Sequence, residues 1–129
     1  MRIDHIAVWT CDLETMRTFY VAHFGANAGA LYHNPVTGLR TCFLAFDDGC
    51  RLELMHLPGM AARKQDGSIP EQGYTHFSVS VGSRATVDSL TEQLRQAGCR
   101  IAGEPRVTGD GYYESVVLDP EGNRVEITV

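Results

Sequence analysis

The sequence predicts an α+β fold built from two copies of one βαβββ module. Three observations predict it. The first is a repeat. Asp4-His5-Ile6-Ala7-Val8 is answered by Thr75-His76-Phe77-Ser78-Val79, and Gly49-Cys50-Arg51-Leu52-Glu53 by Gly122-Asn123-Arg124-Val125-Glu126. The histidines stand 71 residues apart and the glutamates 73. The second is periodicity: short, alternating, β-rich runs surround one stretch of helical spacing in each half. The third is punctuation, with Gly25 and Gly98 each standing where a helix C-cap falls.

Residues 3–9 alternate and read as a strand. Asp12 then offers an N-cap, and Leu13, Met16 and Tyr20 recur at helical spacing up to Gly25. Strands follow at about 28–33, 39–46 and 50–56, with Asn34-Pro35 and Asp47-Asp48-Gly49 as turns. Residues 58–73 hold Pro58, Gly59, Gly67, Pro70 and Gly73 among charges and read as a linker. The order then repeats. A strand covers Tyr74–Val81, and Ser83 caps a helix with Val87, Leu90, Leu94 and Ala97 on one stripe. Strands near 99–102, 112–118 and 123–129 complete the copy, with Asp119-Pro120-Glu121-Gly122 as the last turn. The chain thus reads as a single domain over 1–129, with module 1 at about 1–57 and module 2 at about 74–129.

A chain of 129 residues is long enough to bury a core without staples. A formal net charge of −5, with basic residues scattered, argues against a phosphate-backbone binder. Apolar runs are too short to span a membrane. The N-terminus lacks a signal-peptide pattern, and the four cysteines (Cys11, Cys42, Cys50, Cys99) lack Cys-x-x-Cys spacing. A reduced, cytoplasmic setting with free thiols follows as an expectation.

Strand parity sorts the side chains. Ile6 and Val8 oppose His5, Ala7 and Trp9; Leu52 and Leu54 oppose Arg51, Glu53 and Met55. Phe77, Val79 and Val81 oppose His76, Ser78 and Ser80; Val125, Ile127 and Val129 oppose Arg124, Glu126 and Thr128. In four strands, then, the His or Glu lies opposite the apolar stripe. A one-residue slip would bury all of these groups, so the faces are well specified.

A single His or Glu on a strand is usually a solvated side chain. Two of each at equivalent module positions form a set. If the modules pair about a pseudo-two-fold, His5, Glu53, His76 and Glu126 converge. Two carboxylates ~4 Å apart repel by roughly 4 kcal/mol at an effective dielectric of about 20. Either a cation sits between them or one carboxyl stays protonated, and a metal is the simpler answer. Two imidazoles and two carboxylates suit Ni, Zn, Co, Mn or Fe(II) and leave open positions for chemistry.

The other histidines read more plainly. His23 falls on the helix stripe, His33 at a turn, and His56 on the strand face opposite Glu53. Trp9, Phe43, Met55 and Tyr113 are candidate walls of a substrate pocket, although aromatics on a sheet face most often serve packing. The loop Gly109-Asp110-Gly111-Tyr112-Tyr113 is glycine-rich and could move over a substrate. It lacks the strand–loop–helix context of a phosphate cradle.

Asp4-His5-Ile6-Ala7-Val8, followed by Phe19-Tyr20 and Phe24-Gly25, resembles the vicinal oxygen chelate superfamily. So does Leu118-Asp119-Pro120-Glu121-Gly122-Asn123-Arg124-Val125-Glu126. That superfamily includes glyoxalase I, bleomycin-resistance proteins, fosfomycin-resistance proteins, methylmalonyl-CoA epimerase and extradiol dioxygenases. The resemblance covers nearly the whole chain. It implies two βαβββ modules in a curved mixed sheet around a metal-binding cavity, one divalent metal per site, and a homodimer. It also implies that His5, Glu53, His76 and Glu126 fall on the four metal positions of bacterial glyoxalase I.

The resulting expectation is a metal-dependent lyase or isomerase resembling glyoxalase I, acting on a small substrate with vicinal oxygens. Glu126 or Glu53 would move a proton between neighbouring carbons. The alternatives are a fosfomycin-type thiol transferase or other antibiotic-modifying enzyme, and a non-catalytic, bleomycin-resistance-like sequestering protein. Fosfomycin-type and dioxygenase members use two His and one Glu and would not require Glu53, and bleomycin-binding members lack the set.

Overall fold

In a computed structural model, residues 4–61, 74–109 and 111–129 are described. The chain divides into two compact units, Met1–Lys64 and Gln65–Val129. The start of the expected first strand at residue 3, the linker from residue 62 to 73 and Asp110 of the glycine-rich loop lie outside the described residues.

The elements run β1 (His5–Trp9), α1 (Leu13–Phe24), β2 (Asn27–Ala28), β3 (Tyr32–His33), β4 (Arg40–Ala45) and β5 (Arg51–His56) in unit 1. Unit 2 holds β6 (His76–Ser80), α2 (Arg84–Gln96), β7 (Ile101–Val107), β8 (Tyr113–Leu118) and β9 (Arg124–Thr128). Both units are α+β, with one mixed sheet and one helix each. In unit 1 the strand order is β1-β5-β4-β2, with β3 also on β4. In unit 2 it is β6-β9-β8-β7. The first and last strands of each unit pair in parallel, β1 with β5 and β6 with β9, and the remaining pairs are antiparallel.

Local chemistry fixes the helix ends. Asp12 accepts from the Thr15 amide at 3.0 Å, and Ser83 accepts from the Thr86 amide at 3.1 Å, so each N-cap satisfies an orphan donor. Gly25 takes φ 65° and Gly98 φ 85°, left-handed values that end the helices. Leu13, Met16, Phe19 and Tyr20 of α1 are buried, as are Cys42, Leu44, Leu52 and Leu54 on the helix side of sheet 1.

Three expectations need correction. The strand expected at 28–33 is two short strands, because the chain leaves the β4 edge between Gly29 and Tyr32. This places His33 in β3, paired with Arg40, rather than at a turn. The strand expected at 99–102 continues to Val107 despite Gly103 and Pro105, because β7 is an edge strand with register shifts. The buried stripe of α2 is Val87, Thr91 and Leu94, with Ala97 exposed. Thr91 enters the core because its hydroxyl donates to the Val87 carbonyl at 2.6 Å and lies 2.7 Å from Ser115 Oγ.

Among the described residues no helix is long and apolar enough to cross a membrane.

Candidate metal centre

Register decides which side chains share a face. In sheet 1, His5 pairs with Arg51, Ala7 with Glu53 and Trp9 with Met55; Glu53 also pairs with Phe43. Paired residues point the same way, so His5, Trp9, Phe43, Glu53 and Met55 occupy the face opposite α1. Three of the four expected pocket walls therefore stand beside Glu53. Tyr113 does not join a comparable face in unit 2. It alternates with Glu114, lies on the α2 side of β8, and donates its hydroxyl to Asp88 at 2.6 Å beneath the Arg84 guanidinium. Its aromatic type suggested a wall, but its parity sends it to the helix.

In sheet 2, His76 pairs with Arg124, Ser78 with Glu126, and Glu126 with Val116. His76 and Glu126 thus share the face opposite α2. His76 Nε2 lies 3.2 Å from Glu126 Oε2, and His5 Nε2 lies 3.7 Å from Glu53 Oε2. The exposures repeat as well: about two-fifths for the histidines (40% and 38%) and 14% and 18% for the glutamates. Each unit therefore brings together one imidazole and one largely covered carboxylate. Among the described residues no group of three or more His, Cys, Asp and Glu gathers as a metal cluster.

The turn before β9 sets the position of Glu126. Asp119 is buried, and its carboxylate accepts from the Glu121 amide, the Asn123 amide and the Asn123 side chain at 2.8–3.0 Å. Gly122 supplies the positive φ of 83° that the turn requires. The Asp-Pro-Glu-Gly-Asn run is thus a side-chain-bonded turn that fixes where β9 begins, and so which face Glu126 takes. At the other end of sheet 1, His56 Nδ1 donates to the Thr10 carbonyl at 2.9 Å, tying β5 to the end of β1. His56 lies on the helix side, away from Glu53. His23 packs against Phe19 on α1.

The residues just before the two histidines hold their rings. His5 Nδ1 donates to Asp4 at 3.1 Å, and Asp4 in turn accepts from Arg51. Those contacts, the His5 hydrogen bond first and then Arg51, keep the Asp4 carboxyl below the usual carboxylate range. Arg51 lies 4.4 Å over the Phe43 ring, and His5 meets the same ring edge-on at 5.3 Å. His76 Nδ1 lies 2.8 Å from the Thr75 hydroxyl. In both units the outer nitrogen is engaged and Nε2 is turned toward the carboxylate.

This donor chemistry fits a cation. With a proton on His5 Nδ1, Nε2 presents a lone pair to Glu53, so two acceptors face one another across 3.7 Å. A divalent ion or a proton satisfies both. Reading the sequence had not singled out Asp4, Thr75 or Arg51 as functional, although each adjoins or precedes a candidate ligand by parity. It also missed Arg106, which reaches Glu114 at 3.3 Å on the Glu126 face of sheet 2. Gly103 makes room for it: a Cβ there would lie 2.9 Å from the Arg106 guanidinium.

Known proteins share this architecture. Leishmania major glyoxalase I, described as trypanothione-dependent, superposes with a TM-score of 0.80 at 22% identity, over 99% of this chain and 86% of that one. An uncharacterized protein of Pseudomonas aeruginosa is 29% identical over 98% of this chain and 86% of its own length. The ethylmalonyl-CoA/methylmalonyl-CoA epimerase of Cereibacter sphaeroides is 26% identical over 85% of this chain and 82% of its own. A family profile matches residues 2–127, and the chain belongs to the Glyoxalase/Bleomycin resistance protein/Dioxygenase superfamily.

Proposed function

We propose that this chain is a metal-dependent lyase or isomerase of the glyoxalase I type, acting on a small substrate with vicinal oxygens. The observation that carries the reading is the duplicated His–Glu pair, with Nε2 turned to a covered carboxylate in both units. His5, Glu53, His76 and Glu126 would hold one divalent ion, Ni, Zn, Co, Mn or Fe, within a single domain or across a homodimer. When bound, that ion supplies Lewis acidity that polarises a substrate carbonyl.

The chain's own residues do the rest. Glu126 takes the proton from the carbon beside the carbonyl and returns it to the neighbouring carbon. Ser78, its cross-strand neighbour, offers a hydroxyl on the same face. Glu53, the repeat counterpart, keeps its carboxylate beside His5. Trp9, Phe43 and Met55 give an apolar surface beside Glu53 that excludes water from a substrate's hydrocarbon part. The epimerase relative is consistent with carboxylate proton transfer, since inverting a carbon beside a carbonyl takes a proton off and puts one back. The setting in this proposal is the cytoplasm.

The test is turnover of the hemithioacetal of methylglyoxal and a thiol, with each divalent ion added back to metal-free protein. Glu126→Gln should retain measurable metal and lose turnover. Unchanged turnover in that variant would reject the assignment of the base. A metal-free protein that binds an aromatic ligand tightly and turns nothing over would favour sequestration.

A further inference from the structure

The two half-sites are not equivalent, and the difference lies one residue before each histidine. In unit 1 that residue is Asp4, a carboxylate that can only accept. It lies 3.1 Å from His5 Nδ1 and is itself fixed by Arg51, whose guanidinium stacks on Phe43. In unit 2 the equivalent residue is Thr75, whose hydroxyl can donate or accept toward His76 Nδ1 at 2.8 Å. Arg124, the repeat counterpart of Arg51, makes no side-chain hydrogen bond or ion pair with any described residue.

We infer that Asp4 is a positioning residue that locks His5 in the Nδ1–H form, with the Nε2 lone pair aimed at Glu53, and that it makes the unit 1 half-site the stronger metal anchor. The inference rests on the metal-centre reading above and deepens it. The physical reason is general. A ring nitrogen that donates to a carboxylate fixes the tautomer and makes the opposite nitrogen a better electron-pair donor. Arg51 prevents Asp4 from swinging to solvent, because releasing it would break the Arg51 contact as well as the His5 one. Thr75 gives His76 a neutral partner with no preferred direction, so neither tautomer is imposed there. His76 and Glu126 thus form the more exchangeable half, which suits a carboxylate that must also handle a proton.

Two readouts test this without catalytic activity. Ring-nitrogen NMR shifts of the metal-free chain, at a pH where the imidazoles are neutral, should show His5 as the Nδ1–H form. Asp4→Ala should move it toward the Nε2–H form usual for a free imidazole, and Asp4→Asn, whose amide oxygen can still accept, should retain part of the preference. Chelator competition with nickel(II) and with zinc(II) should show roughly a ten- to hundredfold loss of affinity in Asp4→Ala, with a smaller loss in Asp4→Asn. Thr75→Ala should lose less than Asp4→Ala. Far-UV circular dichroism establishes that each variant is folded, and Asp4→Asn serves if Asp4→Ala is not.

His5 found as the Nε2–H form in the parent chain would overturn the inference. So would an affinity in Asp4→Ala equal to the parent's, or a Thr75→Ala loss as large as that of Asp4→Ala. The two failures are separable. If the parent binds metal through His5 and Asp4 variants change neither readout, the positioning role falls and the metal centre stands. If the parent binds no divalent ion yet Asp4→Ala switches the tautomer, the metal centre falls and the role of Asp4 on the ring stands.

Discussion

Substituting two adjacent positions of β9 separates packing from chemistry. Ile127 has 0% exposure on the α2 side, and Glu126 beside it points the opposite way, 18% exposed and 3.2 Å from His76. Ile127→Val removes one methylene and should cost about 0.5–1.5 kcal/mol; Ile127→Ala leaves a cavity and should cost about 2–5 kcal/mol. Glu126→Gln keeps shape and removes a charge whose partner is well solvated, an interaction worth about 0–1 kcal/mol. With a urea slope of about 1–3 kcal/mol per molar, Ile127→Ala should lower the unfolding midpoint by on the order of 1–2 M at an unchanged slope. Glu126→Gln should shift it by less than about 0.5 M. Turnover should reverse that order, with Glu126→Gln losing roughly a hundred- to ten-thousandfold and folded Ile127→Val losing little. Circular dichroism in urea and the hemithioacetal assay measure the two axes. A Glu126→Gln variant as unstable as Ile127→Ala, with turnover intact, would refute the face assignment on which the site depends.

Other consequences follow from the same geometry. Thr91→Val should cost about 1–3 kcal/mol, because it strands the buried Ser115 hydroxyl, whereas Ser115→Ala should cost about 0.5–1.5 kcal/mol because Thr91 keeps its bond to Val87; equal costs in denaturant would contradict this. The Asp88 hydrogen bond raises the Tyr113 ionisation above that of an ordinary tyrosine, so its contribution to stability is complete at neutral pH and is lost as pH rises through the raised value. Phenolate absorbance should show one tyrosine titrating earlier in Asp88→Asn than in the parent, and identical curves would count against the bond. Burial pushes the Cys42 thiol up, and Cys11 is exposed. Alkylation followed by peptide mapping should therefore label Cys11 first and Cys42 only on unfolding, and early labelling of Cys42 would be inconsistent with its place in the core.

Much of this was readable from residue order because it depends on strong local rules. The Asp12 and Ser83 caps, the Gly25 and Gly98 helix ends and the Asp119 turn each follow from one side chain or one backbone angle. Parity then placed His5, Glu53, His76 and Glu126 on the faces opposite the helices, since a strand with one apolar side has a single good register. What was not readable depended on neighbours distant in sequence. Pro105 and Gly103 argue against a strand locally, yet β7 lies on an edge where a missing donor is harmless and a missing side chain admits Arg106. Thr91 looked polar until Ser115 was beside it. Tyr113 looked like a pocket wall until its strand partners fixed its side. Asp4 adjoins a candidate ligand in sequence, but only the fold brings Arg51 to it.

In the proposed function both His–Glu pairs serve one ion. Titrating metal-free protein with nickel(II), and counting ions bound per chain, tests it most directly. The account predicts one ion per chain, with binding severely weakened by either His5→Ala or His76→Ala alone. Two ions per chain, each lost with only one of the two histidines, would show that the pairs act separately and would contradict it.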